Sequence, residues 1–265
     1  MAMNLMSRLE HLTIRFNSFT MPERISLLTF PQLLSCRLTL GRTIDTGGSI
    51  IASFLTRHPT LKCVRTDCHS SQICLPNLQY FEGYADYAPI LAQGITRGLK
   101  AARMIWHSGR QPQDVNAVVA ALASLTDSTL PFVSSHKFVS REYSIVLASL
   151  SRHIPHTRSL GIQLIHPWLM NEASDSIKHI TECLPQFRHL AYFSLDRTMP
   201  AFRQAVKADT KKHYRAIVQT WGSVCPTLKA CSFFDHAWKK LDGSWEEYPF
   251  QEFLTQSKLS AFAEN

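Results

Sequence analysis

Long apolar runs are missing from this sequence. Uncharged segments such as Val115 to Thr126 are amphipathic and too short to cross a bilayer, so no membrane partner is expected. The opening MAMNLMSRLEHL places Arg8 and Glu10 where a secretory signal needs an unbroken apolar core, and it is not expected to act as one. Gly/Ser-rich linkers, charged linkers and low-complexity tracts are also missing, so nothing cuts the chain into separate domains. Catalytic signatures are missing as well: there is no Gly-x-Ser-x-Gly, no His-Glu-x-x-His, no phosphate-binding Walker loop and no kinase signature. The twelve His are dispersed. A Ser–His or Cys–His pair can assemble in space from distant residues, but no pattern selects one. The chain is therefore expected not to be an enzyme, with no catalytic residue and no cofactor. No Gly-x-Gly-x-x-Gly follows any strand candidate, and the lone Gly47-Gly48 pair reads as a loop.

What is present is enough for a packed core: 265 residues, 45% hydrophobic and 18% charged. The seven Cys are an odd number, which reads as reduced thiols in a cytoplasmic or nuclear protein, each acting as a small hydrophobe. Lys and Arg number 28 against 20 Asp and Glu, a formal net charge of +8. That balance favours an acidic partner. Because the basic residues look scattered along the chain, nucleic acid is not the favoured partner.

One phrase recurs: an often apolar residue, Pro, any residue, then Leu or Phe. It stands as FPQLLSC at Phe30, HPTLKCV at His58, LPNLQYF at Leu75, LPQFRHL at Leu184 and CPTLKAC at Cys225. Copies without the Pro are MSRLEHL at Met6, RGLKAAR around Leu99 and HTRSLGI at His156, with LPFVSSH at Leu130 a degenerate one. Pro ends a preceding helix, Leu anchors the start of a strand, and the following residues alternate with period two. In FPQLLSCRLTL this puts Leu33, Cys36, Leu38 and Leu40 inward, with Ser35, Arg37 and Thr39 outward; LEHLTIRF repeats it with Leu9, Leu12, Ile14 and Phe16 inward.

Between these strands lie helical patterns at Gln113 to Leu125, Arg141 to Ile154, Ser174 to Leu184 and Asp209 to Trp221, the last with Asp209 as N-cap. Strands alternating with helices imply parallel pairing. The first-Leu positions Leu9, Leu33, Leu61, Leu78 and Leu99 are separated by 24, 28, 17 and 21 residues. Leucine-rich repeats run about 20–29 residues. The expected fold is thus α/β: an irregular leucine-rich-repeat-like solenoid, parallel strands on the concave face and helices outside, as a single domain over 1–265. An open doubly wound sheet is the alternative. Residues 225–265 are expected to form the last repeat and a C-terminal cap. Within them Asp242-Gly243, between Trp238 and Trp245, has the signature of a hairpin turn.

The phrases LPNLQYFEG at Leu75 and CPTLKACSFFDHAWKKLDGSWEEYPF at Cys225 resemble the C-terminal leucine-rich regions of fungal F-box-like proteins of mushroom-forming species. The resemblance is diffuse and covers most of the chain. It implies a non-catalytic protein-recognition module selecting substrates for a cullin/F-box ubiquitin ligase. The F-box itself has no recognisable counterpart: MPERI at Met21 echoes its opening, but Cys36 follows Pro22 too closely for the intervening helices. A Skp-type adaptor is therefore not expected to bind this chain alone. The other readings are a stand-alone scaffold with no ubiquitin link and, third, a basic nucleic-acid-binding solenoid.

The inward Leu positions fix a register that places Arg37, Arg65, Glu82 and Arg103 in one outward row on four consecutive strands, with Tyr80 and Tyr84 flanking Glu82. Arg and Tyr are enriched at interfaces, so these six residues form the candidate partner-binding surface. Cys63, Cys68, His69 and Cys74 fall within a dozen residues, yet they lack the tight Cys-x-x-Cys pairing of structural zinc sites, and no metal is expected.

Overall fold

The computed structural model describes residues 7–16, 23–40, 48–67, 73–94, 98–106, 114–138, 143–165, 173–197, 208–234 and 236–262. The chain packs as two compact units, Met1–Met104 with Ala120–Asp127, and Ile105–Val119 with Ser128–Asn265.

The first unit holds strands β1 (His11–Phe16), β2 (Ser35–Leu40), β3 (Cys63–Thr66) and β4 (Tyr80–Tyr84), with helices α1 (Gly48–Thr56) and α2 (Tyr87–Gly94). Strand β5 (Ala101–Trp106) and helix α3 (Val115–Leu125) are divided between the units by residue. Strands β1 to β4 pair in parallel in chain order.

The recurring phrase is a β-turn. Leu33 donates its N–H to Phe30 O, Leu61 to His58 O, Leu78 to Leu75 O, Phe187 to Leu184 O and Leu228 to Cys225 O, all at 3.0–3.2 Å. Pro thus sits at the second turn position, where its fixed φ is already correct. The Leu or Phe closes the turn and drops into the core: Leu33 and Leu61 are fully buried, Phe187 and Leu228 nearly so.

The residue between Pro and Leu is not arbitrary. Thr60 Oγ1 donates to Leu33 O at 2.8 Å, Asn77 Nδ2 to Pro59 O at 2.9 Å and Thr227 Oγ1 to Leu190 O at 2.9 Å. Each staples its turn to the previous repeat. His58 adds another tie, since its Nε2 accepts the Phe30 N–H at 2.9 Å while Nδ1 lies 2.6 Å from Phe54 O.

The second unit holds β6 (Phe132–Phe138), α4 (Tyr143–His153), β7 (Thr157–Leu164), α5 (Ala173–Cys183), β8 (Tyr192–Arg197), α6 (Ala208–Val224) and β9 (Ala230–Phe233). Strands β6 to β9 are parallel. Strands β10 (His236–Leu241) and β11 (Ser244–Tyr248) then add antiparallel. Their two-residue turn has positive φ at both Asp242 (48°) and Gly243 (86°), the conformation an Asp-Gly hairpin requires.

Trp238 and Trp245 are buried on one face of this hairpin. Trp245 lies so close to α6 that a Cβ on Gly222 would fall 2.4 Å from its ring. Trp221 of α6 meets Phe193 edge-on at 5.0 Å.

Helix α3 runs Val115–Leu125 and is capped by Asp114, whose carboxylate accepts the Ala117 N–H at 3.1 Å. The other three expected helices appear as α4, α5 and α6. The side chain of Asp209 and the burial of Leu40 lie outside the described residues.

A last helix, α7 (Phe250–Ser257), followed by a 3-10 turn at Leu259–Phe262, lies on the outer face of the second unit's strands. Phe253 is fully buried, its ring 6.4 Å from Tyr192 and 6.5 Å from Tyr248. Beneath this segment the strand positions are small: Ser135, Gly161, Ser194 and Ser232 are register partners across β6 to β9, and Ala237 follows on β10. A Cβ on Gly161 would stand 3.1 Å from the Leu259 side chain. Ser232 donates to Ser194 Oγ at 2.7 Å, so these buried hydroxyls satisfy each other.

Candidate interaction surface

The outer strand face of the first unit carries no small-residue ladder. Its central row reads Thr13, Arg37, Arg65 and Glu82, partnered strand to strand from β1 to β4. The alternation expected from the Leu positions holds: Leu33, Cys36 and Leu38 are buried, and Ser35, Arg37 and Thr39 are half-buried. On β1, Phe16 is buried and Leu12 and Ile14 are half-buried, while His11, Thr13 and Arg15 are exposed.

Glu82 gathers its neighbours. One carboxylate oxygen lies 3.6 Å from Arg65 Nε and the other 3.5 Å from Arg103 Nη1. The row is therefore an Arg–Glu–Arg triad ending in a second Arg pair, because Arg37 stands directly beside Arg65. Arg37 forms no ion pair among the described residues. Like charges on adjacent strands, about 4.8 Å apart, repel. An anion laid over Arg37 and Arg65 would relieve that repulsion.

The six candidate residues are not equally accessible. Tyr80 is 38% exposed, and Arg37 and Arg65 are half-buried. Tyr84 is 8% exposed and Arg103 only 6%. These two support the row from within and offer little area to a partner.

The structure does assemble Ser–His and Cys–His pairs, but neither is poised for catalysis. Ser134 Oγ lies 2.7 Å from His136 Nε2, both residues fully buried. The indole N–H of Trp106 donates to His136 Nδ1 at 3.1 Å, which leaves the imidazole proton on Nε2, pointing at the serine. The histidine cannot take the serine proton. Burial lowers its pKa to about 3, so it stays neutral and serves as a core hydrogen-bonding group. Cys183 lies 3.8 Å from His179 Nε2, but that nitrogen is also 3.1 Å from Ser144 O and must carry its proton to donate there. Burial, then Glu182, raises the Cys183 thiol, the reverse of nucleophile activation.

Of the cysteine-rich stretch, Cys63 lies on β3 and Cys74 is exposed, with its thiol 3.4 Å from Gly94 O. Cys68 and His69 lie outside the described residues. Among the described residues no group of His, Cys, Asp and Glu could hold a metal, and no helix is long and apolar enough to cross a membrane.

Parallel strands joined by helices, several of them begun by a turn that a Leu or Phe closes, define a leucine-rich-repeat-like α/β solenoid. No protein-family model and no curated protein matches the chain. Among solved structures it is similar to the leucine-rich repeat-containing protein LegL7 from Legionella pneumophila, with a TM-score of 0.51 at 13% identity, covering 98% of this chain and 83% of that one. At that identity the likeness concerns the fold.

Proposed function

We propose that the chain is a non-catalytic protein-recognition module, and that the outer strand face of its first unit binds an acidic surface of a protein partner. The observation that carries this reading is the Arg37–Arg65 pair on adjacent strands, with Arg37 in no ion pair among the described residues and Tyr80 exposed nearby. A fold built from stacked strands presents such outward residues as one continuous surface. The resemblance to fungal F-box-like proteins supports a finer reading, in which the partner is a substrate delivered to a cullin ubiquitin ligase.

The test is crosslinking capture from native lysate by wild type and by the Arg37→Glu/Arg65→Glu variant, both first matched for melting temperature. Loss of a specific adduct in the variant is expected; equal capture would remove the reading. Arg103 is left intact because it is buried against Glu82. Ubiquitin-ligase subunits co-purifying with the full-length protein would favour the finer reading. A captured partner without them would favour a stand-alone scaffold.

A further inference from the structure

The basic residues that look scattered along the sequence converge in the second unit. An open groove of about 790 Å³ runs along the edge where its strands begin, lined by Arg158, His189, Lys229 and Lys240 together with Leu130 and Pro226. Among the described residues no Asp or Glu lines it. Arg158, Ala191, Lys229 and Lys240 stand in one cross-strand row. Ala191 N–H donates to Arg158 O, Lys229 N–H to Ala191 O and Lys240 N–H to Lys229 O, each at 2.8 Å. The three cations are exposed, and none forms an ion pair among the described residues.

Other basic side chains do have acidic partners: Arg65 and Arg103 meet Glu82, and Lys211 and His236 meet Glu247. Here Lys229, just before β9, and Lys240 on β10 are neighbours across the sheet, an arrangement of like charges that is unfavourable without an anion.

We infer that this groove is a second binding site, which takes an extended acidic segment of a protein. The row covers three strand spacings, about 14 Å, which an extended chain crosses in about four to five residues. Carboxylates at alternate positions of such a segment would meet Arg158 at one end and the two lysines at the other. Leu130, 47% exposed on the rim, provides apolar contact. The site shares no residue with the Arg37–Arg65 face and does not depend on it.

The experiment is fluorescence anisotropy with a fluorescein-labelled hexaglutamate peptide at low salt. Saturable binding that weakens as salt rises is expected. Arg158→Glu/Lys229→Glu/Lys240→Glu should weaken it at least tenfold, Lys229→Gln/Lys240→Gln should weaken it partially, and Lys62→Glu/Lys100→Glu, which reverses two exposed cations of the first unit, should leave it within twofold. The inference is overturned if the triple variant binds like wild type while its melting temperature is unchanged, or if the Lys62/Lys100 variant loses as much. A single-stranded oligonucleotide of equal charge that binds more tightly than the peptide through the same residues would overturn the protein class of ligand.

Discussion

The two units use the same repeat but treat their outer strand faces in opposite ways. In the first unit the central row is Thr13, Arg37, Arg65 and Glu82, charged and partly exposed. In the second it is Ser135, Gly161, Ser194 and Ser232, small, buried and covered by the chain's own α7 and the turn at Leu259–Phe262. Side-chain size at one register position decides which face can be covered. A helix cannot seat Phe253 over a row of arginines, and a partner finds little chemistry on a buried small-residue row whose Ser194 and Ser232 hydroxyls already bond each other. The contrast leaves the first unit's charged row partly exposed, as the proposed recognition requires, and makes the second unit's face part of its core.

The comparison breaks hardest at Phe253. Phe253→Ala removes a fully buried ring and should cost about 3–5 kcal/mol by denaturant melting, releasing α7 and exposing the serine row. A loss below about 1 kcal/mol would mean that the cover contributes little to the second unit.

His136 should give the next largest effect, through pH. Its folded pKa, near 3, is below the unfolded value of 6.5, so in that window the unfolded chain binds the extra proton. Stability is therefore complete above about pH 6.5 and falls as pH drops toward 3, by up to about 1.4 kcal/mol per pH unit from this group. His136→Gln should flatten that slope even if it lowers stability at pH 7; an unchanged slope would place the acid sensitivity elsewhere.

A sharper test of the charged face is Glu82→Gln. It removes the carboxylate that Arg65 and Arg103 share and should destabilise by about 1–3 kcal/mol, less at high salt. The same substitution should tighten binding of an acidic partner. Weaker binding would mean that Glu82 itself contacts the partner.

The smallest effect belongs to the turn staples. Thr60→Val in the first unit and Thr227→Val in the second each remove one hydrogen bond to the preceding repeat, so each should cost about 0.5–1.5 kcal/mol in thermal or chemical melts. Similar costs would show that the repeat turn works alike in both units whatever happens on their strand faces.

Much of this was legible in sequence because Leu at a turn position fixes both the strand start and its parity. Arg37, Arg65 and Glu82 emerge in register for that reason. Depth was not legible: parity says which way Tyr84 and Arg103 point, not how much of them neighbours cover. The staple was hidden because Thr60 and Asn77 differ in type, and each bonds a different carbonyl of the preceding turn. The landing place of α7 is set by a small-residue row contributed by strands about 30 residues apart, so no local pattern near Phe250 reveals it. The basic groove was missed because charges separated along the chain, Arg158 and Lys229 among them, become a cluster only once the strands stack.

The central claim is that recognition happens on the first unit's outer strand face. A photo-crosslinking amino acid at Thr13, exposed at the end of the Arg37 row, tests it against the same probe at Ser53, exposed on α1. Irradiation in native lysate should give a discrete adduct from position 13 that is absent from position 53 and is lost when Arg37 and Arg65 are also changed to Glu. An adduct from position 53 alone, or one from position 13 that survives the charge reversal, would contradict it.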